Sequence, residues 1–305
     1  MTVVTLGVHI VDVLTRPVEA IPPGQDTVLV DQIRITAAGS AAGTAVDLAK
    51  LGVDVVSVGA IGDDELGDFL VAVMTRHGVD VSRLARRGTD QTSASILPIR
   101  PDGGRPSFHV PGANLTVSPA DIDPALLAAA DVVHLGGPDV TFALNDPAFF
   151  GVLGAARAAG AVVTMDVLSN MADLLGATTA FLPYVDFFLP NEEQALAITG
   201  ARDPESAARD LLARGPRGVI VTLGGEGSLI VTPEGLTRLP ALKVEVVDTT
   251  GCGDAYCAGF ITGLVHGKDV LESARWGTAA AATVAQGLGS DACLTDLDSV
   301  LALLS

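Results

Sequence analysis

Short, β-rich apolar runs alternate along the chain with longer stretches in which apolar residues recur every three or four positions. The runs are TVVTLGVHI from position 2, VDVVSVGAIG from 53, DVVHLGG from 131, AVVTMDV from 161, YVDFFLPN from 184 and GVIVTLGG from 218. The stretches between them, such as TAVDLAKLG (44–52) and ESAARDLLARG (205–215), have the spacing of amphipathic helices. Strands that alternate with helices predict a mostly parallel sheet covered by helices on both faces.

Two segments break this rhythm. DTVLVDQIRIT (26–36) and TSASILPIRPDGGRPSFHV (92–110) alternate as antiparallel strands do, and PDGG (101–104) is a hairpin-turn signal. Ligands of open parallel sheets bind beyond the carboxyl ends of the strands, so we expect a small second sheet, within about 12–40 and 90–112, to act as a lid there. With no internal repeat or linker, we predict one domain over residues 1–305.

Composition excludes several classes of protein. The 18 basic and 36 acidic residues give a net charge of −18, which repels polyanions and argues against nucleic acid as a partner. The sequence contains no run of about 18 apolar residues free of charge, so it predicts no membrane span. The N-terminus lacks the basic region of a signal peptide, and the 3 cysteines form no C-x-x-C pair, so we predict a cytoplasmic protein without a disulfide framework.

The segment DTTGCGDAYCAGF (248–260) follows a predicted strand, KVEVV (243–247), and precedes a helical pattern. The free N–H groups and the dipole at a helix N-terminus bind anions, and Gly251 and Gly253 let the backbone approach a phosphate. Asp254 could accept a proton from a hydroxyl that attacks this phosphate, or could simply start the helix. We expect the helix dipole to keep Asp254 ionised.

The same segment resembles the second signature of the ribokinase-like, PfkB-type carbohydrate and nucleoside kinases. The resemblance continues in residues 37–70, which are similar to the first signature, in LPNEEQALAITG (189–200) and in VIVTLGGEGSLI (219–230). It implies a ribokinase-like three-layer α/β/α sandwich with a central, mostly parallel sheet and a small β-sheet lid. It also implies an ATP-dependent phosphotransferase that uses Mg²⁺ and, in some members, K⁺.

Residue roles follow from this resemblance position by position. Asp254 would be the catalytic base, and the N–H groups of Gly251, Cys252 and Gly253 would hold the transferred phosphoryl group. Positions that contact substrate hydroxyls match Asp12, Gly39, Ser40 and Gly43. Nucleotide-side positions match Asn191, Thr222, Gly224 and Gly227, and monovalent-cation positions match Asp248, Thr250 and Gly289. Tight helix packing around AAGSAAG (37–43) and a plain β-turn at 222–227 remain the alternatives.

Three positions depart from the family pattern. Gly43 stands where an Asn is common, which removes an amide from the sugar site. Gln194 stands where a metal-linked Glu is expected, and a neutral amide would hold hydrated Mg²⁺ less strongly. Cys252 replaces an Ala, and a thiol at a helix N-terminus tends to have a lowered pKa, so oxidation could block the phosphate site. The alternative is that Cys252 only fills a small space.

The sequence lacks the loops of two competing enzyme classes. GLVHGKD (263–269) has the wrong spacing for a P-loop, and no G-x-G-x-x-G follows the first predicted strand. We therefore predict transfer of the γ-phosphoryl group of ATP to a primary hydroxyl of a small sugar, as in ribokinases and fructokinases. An adenosine-like nucleoside kinase is the alternative, disfavoured by only 1 Trp and 2 Tyr, and a non-catalytic sugar-binding or regulatory protein is the second. Unpaired edges of the lid predict a homodimer.

Overall fold

The computed structural model describes residues 1–304, which form two β-sheets and flanking helices. The strands are β1 (Thr2–Gly7), β2 (Ile10–Arg16), β3 (Gln32–Ala38), β4 (Asp54–Gly62), β5 (Asp80–Arg87), β6 (Ala94–Pro98), β7 (Phe108–Val110), β8 (Val132–Gly136), β9 (Val162–Asp166), β10 (Phe187–Phe188), β11 (Gly218–Thr222), β12 (Ser228–Thr232) and β13 (Gly235–Leu239). The α-helices are α1 (Ala42–Lys50), α2 (Glu65–Arg76), α3 (Pro124–Ala129), α4 (Pro147–Ala159), α5 (Ala172–Leu175), α6 (Glu192–Thr199), α7 (Pro204–Ala213), α8 (Cys252–Val265), α9 (Val270–Val284) and α10 (Leu297–Ala302).

The large sheet has nine strands in the order β13-β12-β11-β10-β9-β8-β1-β4-β5. All neighbouring pairs are parallel except β11–β12 and β12–β13. One face packs against α3, α4 and α7 through residues such as Leu127, Phe149 and Leu211. The other face packs against α1, α2 and α8 through Leu48, Leu70 and Ile261. The predicted three-layer architecture is therefore confirmed.

Many of the acidic residues start helices. An aspartate at the N-cap position accepts a hydrogen bond from a backbone N–H of the first turn in six helices, α2, α3, α4, α7, α9 and α10. Such a carboxylate satisfies one N–H group that the helix leaves unpaired and interacts favourably with the helix dipole. Part of the large negative charge therefore serves local structure.

The small sheet has the order β3-β2-β6-β7 and lies beside the carboxyl end of β1. It is mixed, because β2 pairs antiparallel with β3 but parallel with β6, and β6 pairs antiparallel with β7. Successive side chains of a strand face opposite ways, so the register forms two rows on opposite faces. One row contains Thr36, Asp12, Ser95 and His109, and the next contains Ile35, Val13, Ile96 and Phe108.

Two of the predicted strands have other bounds in the structure, and a third does not form. The first run divides, because β1 ends at Gly7 and the chain enters the small sheet at Ile10. The strand predicted over 26–36 is Gln32–Ala38, since residues 26–30 have no strand partner and Asp31 makes only one bond, from its N–H to the carbonyl of Arg16. KVEVV is not a strand: the N–H of Val247 donates to the carbonyl of Ala285, just past the end of α9, at 2.8 Å. The predicted turn at 101–104 is confirmed by hydrogen bonds between Arg100 and residues 103 and 104.

None of the helices within residues 1–304 combines the length and the apolar character that crossing a membrane requires.

Candidate active site

The loop over residues 248–253 leads into α8 and forms the centre of the candidate site. Gly251, the N-cap residue, has a φ of 77°, and a Cβ there would lie 2.4 Å from Cα of Ser290, so the position requires glycine. A Cβ at Gly253 would meet no atom within 4 Å, and Gly253 lines a small cavity of about 250 Å³, the chamber. N–H groups in the first turn of a helix have no carbonyl of an earlier turn to accept their hydrogen bonds. The N–H of Cys252 instead donates to the carbonyl of Thr249 at 3.3 Å. The loop can therefore accept an anion.

Asp254 is the third residue of α8 and lines both a cavity of about 650 Å³ and the chamber beside it. Burial, and then the charge of Asp12, raises the pKa of Asp254 to about 7. The expectation that the helix dipole keeps this carboxyl ionised was therefore wrong, because desolvation outweighs the dipole. A carboxyl with a pKa near 7 suits general-base catalysis at neutral pH.

Gly43 lies in the first turn of α1, against the carboxyl group of Asp254. A Cβ at this position would lie 2.7 Å from Oδ2 and 3.1 Å from Cγ of Asp254. Ordinary van der Waals contact begins at about 3.4 Å. The missing side chain, which the sequence suggested as a loss to the sugar site, therefore also makes room for the carboxylate.

The 650 Å³ cavity lies between the small sheet and the carboxyl ends of the large sheet. Asp12, Ser95 and His109 form its polar wall, and Gly39 also lines it, whereas Ser40 lines the neighbouring chamber. Burial raises the pKa of Asp12 to about 6; the charge of Asp248 acts in the same direction, and Ser95 and Arg105 oppose it. The apolar side chains around the cavity include Val8, Ile10, Leu115, Val140, Phe142, Leu168, Met171 and Leu174.

Several residues of the site escaped the sequence analysis, and Asn114 and Arg105 are two of them. Asn114 lines the cavity and bonds both backbone groups of His9, each at 2.9 Å, which fixes the crossing from β1 to β2. No motif marks it. Arg105, in the hairpin loop of the small sheet, donates from Nη1 to Oγ1 of Thr250 at 3.2 Å and lines the chamber. The net charge of −18 could have suggested a search for such a cation beside the anion-binding loop.

A second cavity of about 220 Å³ lies on the other side of the loop. Thr222, Gly224 and Gly227 line it together with apolar residues such as Val246 and Ala281. Gly227 has a φ of 99°, and a Cβ there would lie 2.0 Å from the carbonyl oxygen of Leu239. The turn therefore requires glycine and leaves a narrow apolar groove beside backbone groups.

The chamber, about 250 Å³, adjoins both cavities, because it shares Asp254 with the larger and Thr222 and Gly253 with the smaller. Asn191 lines it from the N-cap of α6. The carboxyl group of Asp166, at the end of β9, also lines it. Burial, and then the charge of Asp254, raises the pKa of Asp166 well above its usual range.

Gln194 has a structural role that the sequence analysis did not foresee. Its Oε1 accepts from the N–H of Asn191 and its own N–H donates to Oδ1 of Asn191, each at 2.9 Å. Its Nε2 donates to the carbonyls of Val167 at 2.8 Å and Ser169 at 3.3 Å. The amide therefore ties α6 to the segment after β9. Oxygen groups on Asn191 and Asp254, which both line the chamber, fit a hydrated Mg²⁺.

Cys252 does not have the reactive thiol that its position suggested. Burial raises its pKa to about 12, and its Sγ lies 3.6 Å from the carbonyl oxygen of Ala281 on α9. Desolvation again outweighs the helix dipole, so the predicted lowering of the pKa was wrong. The contact favours the alternative, a small side chain that fills space between α8 and α9.

The residues predicted around a monovalent cation do lie together. Oδ1 of Asp248 accepts from the N–H of Thr250 at 3.0 Å and from its hydroxyl at 2.8 Å, and Oδ2 accepts from the N–H of Gly289 at 3.0 Å. The guanidinium of Arg34 donates to the carbonyl of Leu288 and, at 2.6 Å, to Asp291. Both carboxylate oxygens of Asp248 are therefore hydrogen-bonded within the protein, and the positive charge of Arg34 lies beside this loop.

Comparisons with known proteins agree with this geometry. Residues 2–297 match the sequence profile described as "pfkB family carbohydrate kinase". A fructokinase from Klebsiella pneumoniae is 31% identical over 75% of this chain and 77% of its own. An aminoimidazole riboside kinase from Salmonella typhimurium is 32% identical over 73% of this chain and 72% of its own. The structure of Arabidopsis thaliana ribokinase complexed with ribose and ATP superposes with a TM-score of 0.85 at 26% identity, covering 99% of this chain and 98% of that one.

Proposed function

Because the chain belongs to the pfkB family of carbohydrate kinases, we propose that it transfers the γ-phosphoryl group of ATP to a primary hydroxyl of a small sugar. One observation carries the proposal: two cavities of different character meet at a glycine-rich helix N-terminus that also presents Asp254. The larger cavity would hold the acceptor and the narrow groove the nucleotide. The phosphoryl group would then pass through the chamber between them.

The reaction would proceed by in-line displacement. The acceptor hydroxyl, oriented by Asp12, gives its proton to Asp254 as its oxygen forms a bond to the γ-phosphorus, and the bond from that phosphorus to the bridging oxygen of ADP breaks. The N–H groups of Gly251 and Gly253 would stabilise the charge on the transferring group. Arg105, beside Thr250, supplies a further positive charge to the same chamber.

ATP and Mg²⁺ are the partners that this reaction requires. The turn with Gly224 and Gly227 would hold the nucleotide against the apolar groove, and Asn191 would lie near the phosphates. When bound, Mg²⁺ neutralises phosphate charge, which matters in a protein with a net charge of −18. No step of the proposal depends on K⁺.

A riboside that carries a heterocyclic base is the second candidate acceptor. The apolar side chains that line the cavity, among them Phe142 and Met171, could cover such a base, and a bare sugar would leave them exposed to water. The relative named aminoimidazole riboside kinase supports this candidate, and the one named fructokinase supports the sugar.

The segments 12–40 and 90–112 would act as a lid. They contain most of the small sheet, including Asp12, and the loop that contains Arg105. Movement of this sheet would change the distances of Asp12 and Arg105 from the loop before α8. Closure would exclude water and so suppress hydrolysis of ATP.

The outer face of the small sheet supports the expected homodimer. Its central row contains Ile35, Ile96 and Phe108, which are 49%, 54% and 59% exposed. Pairing with the same face of a second copy would bury this row. Ile96→Lys should halve the mass measured by sedimentation velocity, whereas Leu271→Lys, at an exposed apolar position on α9, should not change it. A wild-type protein that is monomeric at micromolar concentration would contradict this part of the proposal.

An assay of ADP release tests the function. ATP, Mg²⁺ and K⁺ are supplied with a panel of pentoses, hexoses, sugar acids and nucleosides, and Asp254→Asn is measured alongside. Turnover on one class should fall by roughly 10²–10⁴ in the variant, with ATP binding retained. Near-normal turnover of Asp254→Asn would remove it from the role of base. Binding of ATP without turnover on any acceptor would favour a non-catalytic sugar-binding protein.

A further inference from the structure

Three buried side chains with different ligand atoms converge below the chamber. His134 lies on β8, Asp166 at the end of β9 and Cys257 on α8, and their ligand atoms all lie within 4.8 Å of one another. The register pairs His134 with Thr164, two residues before Asp166, so the imidazole and the carboxyl group project from the same face of the sheet. This is the face that α8 covers.

Two of these ligand atoms have no partner within hydrogen-bond geometry despite their burial, although the backbone of Ser40 lies close enough to the His134 ring to oppose the lowering of its pKa by burial. They are Nε2 of His134 and Oδ1 of Asp166, and 3.6 Å separates them. This distance is too long for a hydrogen bond. It is slightly longer than the edge of a tetrahedral coordination shell, which is roughly 3.3–3.5 Å for metal–ligand bonds of about 2.0–2.1 Å, so a small inward shift would let both atoms bind one ion. Unpaired buried polar atoms are costly, so a shared ligand is the simplest way to satisfy both.

The surroundings of His134 also suit a metal ligand. Its other ring nitrogen, Nδ1, lies 2.9 Å from Oγ1 of Thr164. A hydrogen bond from Nδ1–H to this hydroxyl would leave the lone pair of Nε2 directed at the cluster. Metal-binding histidines are commonly oriented by such a bond from their other ring nitrogen. Asp166 and Cys257 line the chamber, which gives an ion a route from solvent.

We propose that His134, Asp166 and Cys257 bind a transition-metal ion, with Zn²⁺ as the expected occupant. The donor set of nitrogen, oxygen and sulfur suits Zn²⁺ or Co²⁺, whereas Mg²⁺ prefers oxygen ligands alone. The ion would link β8 and β9 to α8 below the chamber that also contains Asp254. This site does not depend on which acceptor the kinase uses.

The test uses the full-length, untagged, metal-stripped protein and Co²⁺ as a spectroscopic probe. We expect one Co²⁺ per chain, with a thiolate-to-cobalt charge-transfer band that Zn²⁺ abolishes and excess Mg²⁺ leaves unchanged. Cys257→Ser should lose the band, and Cys293→Ser should keep it, because Cys293 is exposed and outside the cluster. Thr164→Val should weaken Co²⁺ binding by roughly 10–100-fold, because it removes the hydroxyl that orients the His134 ring.

Thermal unfolding gives a second measurement that does not depend on the spectrum. Zn²⁺ should raise the unfolding temperature of the wild type and of Cys293→Ser but not that of Cys257→Ser. If Cys257→Ser does not fold, His134→Gln takes its place in both measurements. Absence of the charge-transfer band in the wild type, its persistence in the folded variant, or displacement of Co²⁺ by Mg²⁺ would each overturn the proposal.

Discussion

Substitution of Gly43 by alanine tests whether the position of Asp254 limits the reaction. The new Cβ would lie 2.7 Å from Oδ2 of Asp254, against the 3.4 Å at which ordinary contact begins. The two groups must therefore separate by about 0.7 Å, and the carboxyl group can move more easily than the backbone of α1. The substitution changes no atom of the acceptor wall or the nucleotide groove.

The expected loss follows from this displacement. A misplacement of about 1 Å can cost roughly 10² in rate, so we expect the turnover of Gly43→Ala to fall by roughly 10–10². The loss should remain smaller than that of Asp254→Asn, because the base is moved and not removed. The KM for ATP should stay close to the wild-type value, since other residues form the groove.

The assay is steady-state ADP release with the best acceptor of the panel. Gly151→Ala is the matched control, since it also adds a methyl group within a helix but meets no atom within 4 Å. Both variants gain up to about 1 kcal/mol of helix propensity, so unfolding in urea separates the gain from the clash. Wild-type turnover in a folded Gly43→Ala protein would refute the view that Asp254 must occupy this place against α1.

Three further predictions concern the site. The value of kcat/KM should rise with pH and reach half its maximum near pH 7, because Asp254 acts deprotonated and its pKa is about 7. This rise should vanish in Asp254→Asn, and its persistence there would assign it to another group. Arg105→Gln should lower turnover by roughly 10–10³ in the ADP assay, whereas Arg100→Gln, exposed in the same loop, should not; equal effects would contradict a local role. Gln194→Glu should destabilise the fold by about 1–3 kcal/mol in urea unfolding, because a carboxylate cannot donate to two carbonyls, and the exposed Gln25→Glu should be neutral; equal stabilities would contradict this.

The layered fold was predictable because its strands and helices differ in hydrophobic period. Apolar runs of the parallel strands and the helical spacing between them depend on local sequence, so both survive without knowledge of tertiary contacts. The strand prediction for KVEVV was wrong, since a β-rich composition does not show whether a neighbouring strand is available for pairing. In the folded chain, the N–H of Val247 bonds Ala285 beyond a helix end, and no strand forms there.

Positions in the site were easier to predict than their electrostatics. The glycines at 251 and 227 were recognisable because backbone approach demands them, and both have positive φ with backbone atoms close by. The pKa values of Asp254 and Cys252 were predicted in the wrong direction, because the helix dipole is visible in a sequence pattern and desolvation is not. The cluster of His134, Asp166 and Cys257 could not be predicted, since its members are far apart in the sequence and only the fold brings them together.

These electrostatics explain how a chain with a net charge of −18 can bind a polyphosphate. The attraction must be local, from the N–H groups and dipole at the start of α8 and from Arg105. Of these sources, only Arg105 lies in the proposed lid. An open lid would therefore weaken both the hold on the phosphates and the stabilisation of the transferring group, whereas a closed lid brings acceptor and positive charge together. Coupling of this kind would make phosphoryl transfer depend on the acceptor and would suppress transfer to water.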